Sequence, residues 1–413
     1  MSESRVVVIG GGVIGVSTAY YLAEMGARVT LLEQNKICSG RPQCNAGQLT
    51  PGHMPLNQPG VIWRNLSLLM KRSSPLYIPM RWDWGLMCWL WRFHKACSPP
   101  RVRRATELLA LLGHASFELF EEFKDRFDFG YHRLGRLEVC LSKKSLSEVL
   151  HEAELLEGFG FTWREVSADE VRELEPAVTT PVAGGVQFHE SAYCNPATFV
   201  VELSRAAAER GVELREHVEV KQVLANGSGP VRITTADDQL EVDRAVVAGG
   251  AWTPRLARQL DLRLPIQPGK GYHLDIEAPQ PGIRAPTLFV EERVFATPID
   301  DFVRLAGTME LSGFNLRQLP ARIRQLSVGA GRYMEGIESA PVRSRWCHLR
   351  PMAPDGVPMI GPTPTSPKVW IASGHGMLGL TQGPITGKLV AEGILTGKTS
   401  LDIAALRPDR FTN

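Results

Sequence analysis

Three glycines constrain what this chain can fold into more than any other feature. Gly10, Gly12 and Gly15 stand in G-x-G-x-x-G spacing. The run from Arg5 to Gly10 is rich in Val and reads as a buried parallel strand. Val13 to Met25 reads as a helix stopped by Gly26, and Ala27 to Leu32 as the next strand, which ends at Glu33. The glycines differ in their mechanical roles. The first permits the tight turn, the second lets a pyrophosphate approach the backbone, and the third lets helix and strand pack closely. The helix N-terminus adds free N–H groups and the positive end of its dipole. Glu33 follows Gly15 by 18 residues, where it can accept hydrogen bonds from a ribose hydroxyl. A bare glycine triplet is also compatible with a plain tight loop. The strand, helix, second strand and acid in register favour a dinucleotide, without deciding between FAD and NAD.

Elements of the same kind return later. Pro196 to Arg210 reads as a helix and Val212 to Val220 as a strand. Val231 to Thr234 and Leu240 to Asp243 form a hairpin feeding the strand Ala245 to Ala248, and Val369 to Ala372 leads towards a helix from about Pro384 to Ile394. Between them, Leu137 to Leu141, Gly185 to His189, Tyr272 to Ile276 and Val303 to Leu305 read as strands of a larger antiparallel sheet, on which the amphipathic helix Thr106 to Phe127 is expected to pack. With 413 residues, two parts are the natural expectation. The fold class is α/β: a Rossmann-like FAD-binding domain with a parallel sheet, interleaved with an α+β substrate domain on a mostly antiparallel sheet. The first takes 1–60, 195–262 and 341–413, and the second takes 61–194 and 263–340.

Composition excludes more than it assigns. A net charge of +2 without a basic run gives no reason to expect nucleic acid. The seven cysteines, Cys38, Cys44, Cys88, Cys97, Cys140, Cys194 and Cys347, form no CxxC pair, so neither a metal site nor a disulfide framework is expected, and a reducing, cytoplasmic compartment fits. The apolar run Val6 to Val16 lacks the basic start of an export signal, and no stretch of about 20 apolar residues occurs.

Two downstream segments favour FAD. Ala245 to Trp252 is a strand ending in Gly249 and Gly250, where the chain can pass close to a nucleotide. Ser373-Gly-His-Gly-Met-Leu-Gly379 is a second glycine-rich strand-to-helix turn, suited to the pyrimidine edge of a flavin, where negative charge develops on reduction. With these segments the chain resembles the D-amino-acid oxidase superfamily, and within it the branch of bacterial D-amino-acid dehydrogenases of the small-subunit type. The motifs that carry the resemblance are Gly10 to Gly15, Asn45-Ala-Gly-Gln-Leu-Thr-Pro-Gly52, Gly271-Tyr-His273, Trp346-Cys-His-Leu-Arg-Pro-Met-Ala-Pro-Asp-Gly-Val-Pro-Met-Ile-Gly361 and Gly374-His-Gly376.

The resemblance implies roles by position. Val13, Ile14, Glu33 and Gln34 hold the ADP part, and Val218 meets the adenine through its backbone. Asn45, Ala46, Gly47, Gln48 and Leu49 run past the flavin ring, while Gly374, His375, Gly376, Met377, Leu378 and Gly379 contact it, His375 through its backbone. No cysteine matches the covalent attachment of sarcosine-oxidase relatives, so non-covalent FAD is expected. Arg350 is expected to grip a substrate carboxylate; a guanidinium offers that anion a planar fork of donors. The alternative is an ion pair with an acid such as Asp355. Tyr272 and His273 follow a Gly-Lys-Gly turn taken to open towards the flavin. Tyr272 either adds a hydrogen bond to the carboxylate or caps the sheet, and His53 either lines the pocket or is structural.

The activity implied is oxidative deamination of small D-amino acids to 2-oxo acids, with electrons passed to a quinone or another acceptor. The alternatives are a dehydrogenase for a cyclic imino acid such as D-hydroxyproline, an oxidase of the glycine or sarcosine type, and a non-catalytic flavin-binding subunit. Trp82, Trp84, Leu86, Met87, Trp89, Leu90, Trp91 and Phe93, flanked by Arg81, Arg92 and Lys95, suit either a core helix or an interfacial patch. The patch would give peripheral contact with the cytosolic face of the inner membrane and access to membrane quinone.

Overall fold

The computed structural model describes residues 4–38, 45–61, 76–79, 81–225 and 229–412; Cys44 lies outside them. The first unit is strand β1 (Arg5–Ile9), helix α1 (Val13–Glu24) and strand β2 (Arg28–Leu32), with β1 and β2 parallel. It sits inside a six-stranded sheet ordered Met359–Pro362, Val369–Ser373, Arg244–Val247, β1, β2, Glu213–Arg215. All neighbours are parallel except the outermost Met359–Pro362. Both faces of this sheet are covered, which is why its strands read as unbroken apolar runs. One face packs on α1, Pro196–Glu209 and the C-terminal helix Gly379–Thr396, and the other on a cluster that includes the three-stranded sheet Gln222–Ala225, Val231–Thr234, Gln239–Val242.

The second layer is a nine-stranded, largely antiparallel sheet in which Val342–Met352, Gln267–Glu277, Phe302–Glu310 and Val294–Ile299 are consecutive neighbours. Alternation sorts the residues along its second strand. On Gln267–Glu277, Tyr272, Leu274 and Ile276 enter an apolar core with the helix Pro320–Gly331, so the odd-numbered residues, Gly271 among them, point to the opposite side.

Four expectations need correction. The helix Pro99–Lys124 does not simply lie on the antiparallel sheet. Val102 and Ala110 reach that sheet's strands, but Leu108, Leu112, Phe117, Phe120 and Phe123 pack into the core against α1. The reason is an apolar surface wider than a single stripe. The strand expected from Val212 to Val220 stops at Arg215. His217 takes a positive φ, and the chain crosses the end of β2, where the Val218 N–H donates to the Glu33 carbonyl at 2.8 Å. The C-terminal helix starts at Gly379, five residues before the expected Pro384, which sits inside it; there the proline forfeits one backbone bond early in the helix, a tolerable loss. The Gly-Lys-Gly segment is not a turn but the middle of the long strand Gln267–Glu277. We propose the two-part division of the chain with Val342–Met352 moved to the substrate side, since it is the edge strand of the antiparallel sheet.

Candidate active site

A cavity of about 1860 Å³ opens between the two sheets. Ordinary small-ligand pockets take roughly 300–1,000 Å³, so the space suits a dinucleotide together with a substrate. At one end Gly12, Val13 and Ile14 line it. A Cβ on Gly15 would lie 1.8 Å from the Gly10 carbonyl oxygen, so this glycine is demanded by the fold itself, whereas a Cβ on Gly12 meets nothing within 4 Å. Gly12 therefore faces open space in the cavity wall, where backbone can be approached closely. Gly12→Ala should leave the stability of the FAD-free protein unchanged while weakening FAD binding by an order of magnitude or more, read by titrating FAD into deflavinated protein.

Two helices begin at this cavity without a side-chain cap, α1 after Gly12 and the C-terminal helix after Leu378. Uncapped N-termini leave backbone N–H groups and a positive dipole end. The first suits a pyrophosphate and the second the flavin edge that gains negative charge. His375, Gly376, Met377, Leu378 and Gly379 all line the cavity, as do Gly250 and Trp252 across from them. The His375 ring is buried against the Thr386 hydroxyl and burial presses its pKa down to about 3, so it stays neutral and structural. Gly374, at φ +85°, makes the turn, and Gly249 lies behind Gly250 against Thr253.

Asn45, Ala46 and Gln48 line the cavity along its length. Leu49 and Gly47 do not: Leu49 is buried in the core, and Gly47 faces the Cys194 carbonyl. An extended segment turns alternate residues to opposite sides, so a run of five could not all face one ligand. Two bonds fix the segment, from Arg304 Nη1 to the Asn45 carbonyl (2.9 Å) and from Gln48 Nε2 to the Thr297 hydroxyl (3.2 Å). Glu33, 4% exposed, ends β2 and accepts from the Gly11 and Asn35 N–H groups, which holds it beside the glycine turn with Gln34 next to it.

The substrate end centres on Arg350. Its guanidinium lies across Gly271, where a Cβ would stand 2.0 Å from Nη1, and Nη1 donates to the Thr308 carbonyl at 3.0 Å. Asp355, the acid considered as its alternative partner, is held by Arg410 at 2.9 and 3.1 Å. His348 and Met352, two residues either side of Arg350 on the same strand, line the cavity with it. Gly271→Ala should displace the guanidinium and raise the KM for amino acids about tenfold or more with FAD still bound. A variant with ordinary KM would mean that the arginine has room to move.

For Tyr272 the structure favours the second of the two readings over a catalytic role. The tyrosine is 2% exposed, faces the core behind the sheet, and donates to Glu310 Oε2 at 2.8 Å; burial and that carboxylate raise its pKa. It caps the sheet and does not line the cavity. His53 does line the cavity, but burial and the nearby Arg136 press its pKa down to about 4, so it is neutral at physiological pH and has little capacity as a base there. Thr308 and Met309 went unnoticed, and Trp89, Leu90 and Phe93, singled out for another role, also form an apolar wall of the cavity. Period-two reading outward from Arg350 would have found His348 and Met352. Nothing local marks Thr308.

The chain matches the family model described as FAD dependent oxidoreductase over residues 5–393 and belongs to that family. It is therefore an FAD-dependent oxidoreductase. It is 31% identical to a D-amino acid dehydrogenase of Paramagnetospirillum magneticum over 99% of both chains, and 32% identical to one of Neisseria gonorrhoeae over 95% of this chain and 96% of that one. Among solved structures it resembles glycine oxidase from Geobacillus kaustophilus (TM-score 0.80, 23% identity, 98% of this chain and 99% of that one). It also resembles L-proline dehydrogenase from P. horikoshii (TM-score 0.79, 20% identity, 99% and 98%). At such identities the structures speak for the fold alone.

Proposed function

We propose that the protein is a D-amino-acid dehydrogenase that holds FAD non-covalently. The observation that carries this reading is the Arg350 fork, seated on Gly271 in the same cavity that receives two uncapped helix N-termini. The choice of D-amino acids rests on the relatives above 30% identity. Bound FAD supplies acceptance of hydride from the substrate's α-carbon. The chain supplies the rest. Arg350 holds the carboxylate, and the apolar wall of Trp89, Leu90, Phe93 and Met352 excludes water from the reacting end. Neutral His53 and His375 leave the substrate amine to arrive unprotonated. The imine so formed adds water to give the 2-oxo acid and ammonia. Non-covalent binding is supported by the described cysteines, none of which lines the cavity.

A panel of D- and L-amino acids, glycine, sarcosine and D-hydroxyproline tests the reading, scored anaerobically by loss of flavin absorbance. D-forms should bleach it, a dye acceptor should turn over, peroxide should be scarce, and acid denaturation should release FAD. Bleaching by glycine or sarcosine with stoichiometric peroxide would make it an oxidase; bleaching by D-hydroxyproline alone would make it an imino-acid enzyme. No bleaching at all would leave only a flavin-binding subunit.

A peripheral membrane contact is also proposed. The helix Trp84–Ala96 turns Leu86 and Trp89 inward, with Trp89 Nε1 donating to the Met352 carbonyl, while Trp82 (99% exposed), Trp84 (74%), Met87 and Trp91 (both 57%) face solvent. One helix thus lines the cavity and presents aromatics outward, with Lys95 over the Trp91 ring. No helix among the described residues is long and apolar enough to cross a membrane, so contact would be interfacial, on the cytosolic face of the inner membrane, with quinone as acceptor. Replacing Trp82, Trp84 and Trp91 with Ser should abolish sedimentation with phosphatidylglycerol vesicles and cut quinone reduction severalfold, with dye-linked activity retained. Equal sedimentation by both proteins would refute the contact.

A further inference from the structure

The strand Phe302–Glu310 carries an irregularity opposite Arg350. Tyr272 pairs with Gly307 but Lys270 with Glu310, so Gly271 alone faces two residues, Thr308 and Met309. This is a β-bulge, and Thr308 adopts a φ of +60°, a conformation that β-branched residues avoid. The extra residue reverses the alternation. Before the bulge Arg304 points to the side of the Asn45 segment while Val303 and Leu305 enter the core. After it Met309 reaches the cavity, and Glu310 is turned away to the core side. There the carboxylate, 2% exposed, meets Lys270 Nζ at 3.0 Å, the Tyr272 hydroxyl at 2.8 Å and Arg322 Nε at 3.6 Å. Without the bulge the same carboxylate would face the cavity beside Arg350 and compete for its fork.

The two bulge carbonyls are each held by an arginine. Thr308 C=O accepts from Arg350 Nη1 at 3.0 Å, and Met309 C=O accepts from Arg322 Nη2 at 3.3 Å. Arg322, on the helix Pro320–Gly331, is 1% exposed. We infer that Thr308 and Arg322 are positioning residues for the substrate clamp: Arg322 pins the bulge from behind the sheet, and the bulge aims a carbonyl at Arg350 while keeping Glu310 out of its reach. Strained backbone persists only where its surroundings over-determine it, and here the surroundings include the buried network of Glu310, Lys270, Tyr272 and Arg322. The inference rests on the role of Arg350 proposed above.

Two variants test it. Thr308→Gly removes the conformational strain, so it should match or exceed the wild type in thermal stability. By loosening the bulge it should also raise the KM for D-alanine about fivefold to tenfold, with kcat changed less than twofold. A gain in stability with a loss of affinity is the reverse of what a merely structural residue gives. Arg322→Lys keeps a charge facing Glu310 but lacks the second arm that holds the Met309 carbonyl. It should fold, and the dissociation constant of propionate, a carboxylate without the amine, should rise about fivefold by flavin difference spectra. Wild-type KM and propionate binding in both folded variants would overturn the inference while leaving the clamp standing. A wild type whose flavin spectrum ignores D-alanine and propionate alike would remove the clamp and this inference together.

Discussion

Arg350→Ala is expected to lower kcat/KM for D-amino acids by roughly 30- to 700-fold, with FAD content and fold preserved. The loss corresponds to about 2–4 kcal/mol, the range for truncating one partner of a desolvated, hydrogen-bonded charge pair. The lower end is set by the half-buried state of the side chain. Most of it should appear in KM, because the fork holds the carboxylate in ground state and transition state alike. Arg350→Lys should fall between, since an ammonium keeps the charge and loses the planar fork. Propionate binding is the cleaner measurement, being free of chemistry. A variant that binds propionate as the wild type does would end the assignment.

Arg304→Met should be the most damaging change to stability. Arg304 gives two bonds to Asp275, at 2.7 and 3.0 Å, and a third to the Asn45 carbonyl at the cavity. Removing one member of a buried pair costs about 3–5 kcal/mol, because the other charge is stranded. The segment from Asn45 to Gln48 also loses its anchor, so FAD affinity should fall with the urea midpoint. The pH dependence has a definite sign. Burial alone would raise the Asp275 carboxyl, but Arg304, with help from His273 and Ser344, holds it below the ordinary carboxylate range. A depressed value in the folded state means stability that is present at neutral pH and lost as pH falls through that value. The wild type should therefore lose this share in acid. The variant, with a stranded carboxyl, should gain relative stability on acidification. Equal urea midpoints at pH 7 would show that the pair only breaks even.

The aromatic segment shows how far a composition signal carries. Aromatic crowding at Trp82 to Phe93 left a core helix and an interfacial patch both open; in the structure Leu86 and Trp89 are buried, while Trp84, Met87 and Trp91 of the same helix are exposed. Only the neighbours decide which tryptophan goes where: Trp89 is taken up by the Met352 carbonyl, while Trp82 stays exposed.

The sequence by itself determined the nucleotide end. Gly10, Gly12, Gly15 and Glu33 act over a span of two dozen residues, and their chemistry is the chemistry of a local turn, so spacing alone reveals it. The glycine turn at Gly374 to Gly379 was legible as a second strand-to-helix turn, and the resemblance added Arg350. The substrate end was decided by tertiary structure. Tyr272 and Gly271 are neighbours in sequence and face opposite sides of a sheet, so a reading that is out by one residue exchanges pocket for core. Gly269 and Gly271 look like a turn until Met309, Met352 and Arg350 are seen resting on them. Thr308 carries no mark at all, because its backbone conformation is imposed by the register between two strands some thirty residues apart. Contacts within a turn are written in consecutive residues; contacts across strands exist only once the register is set.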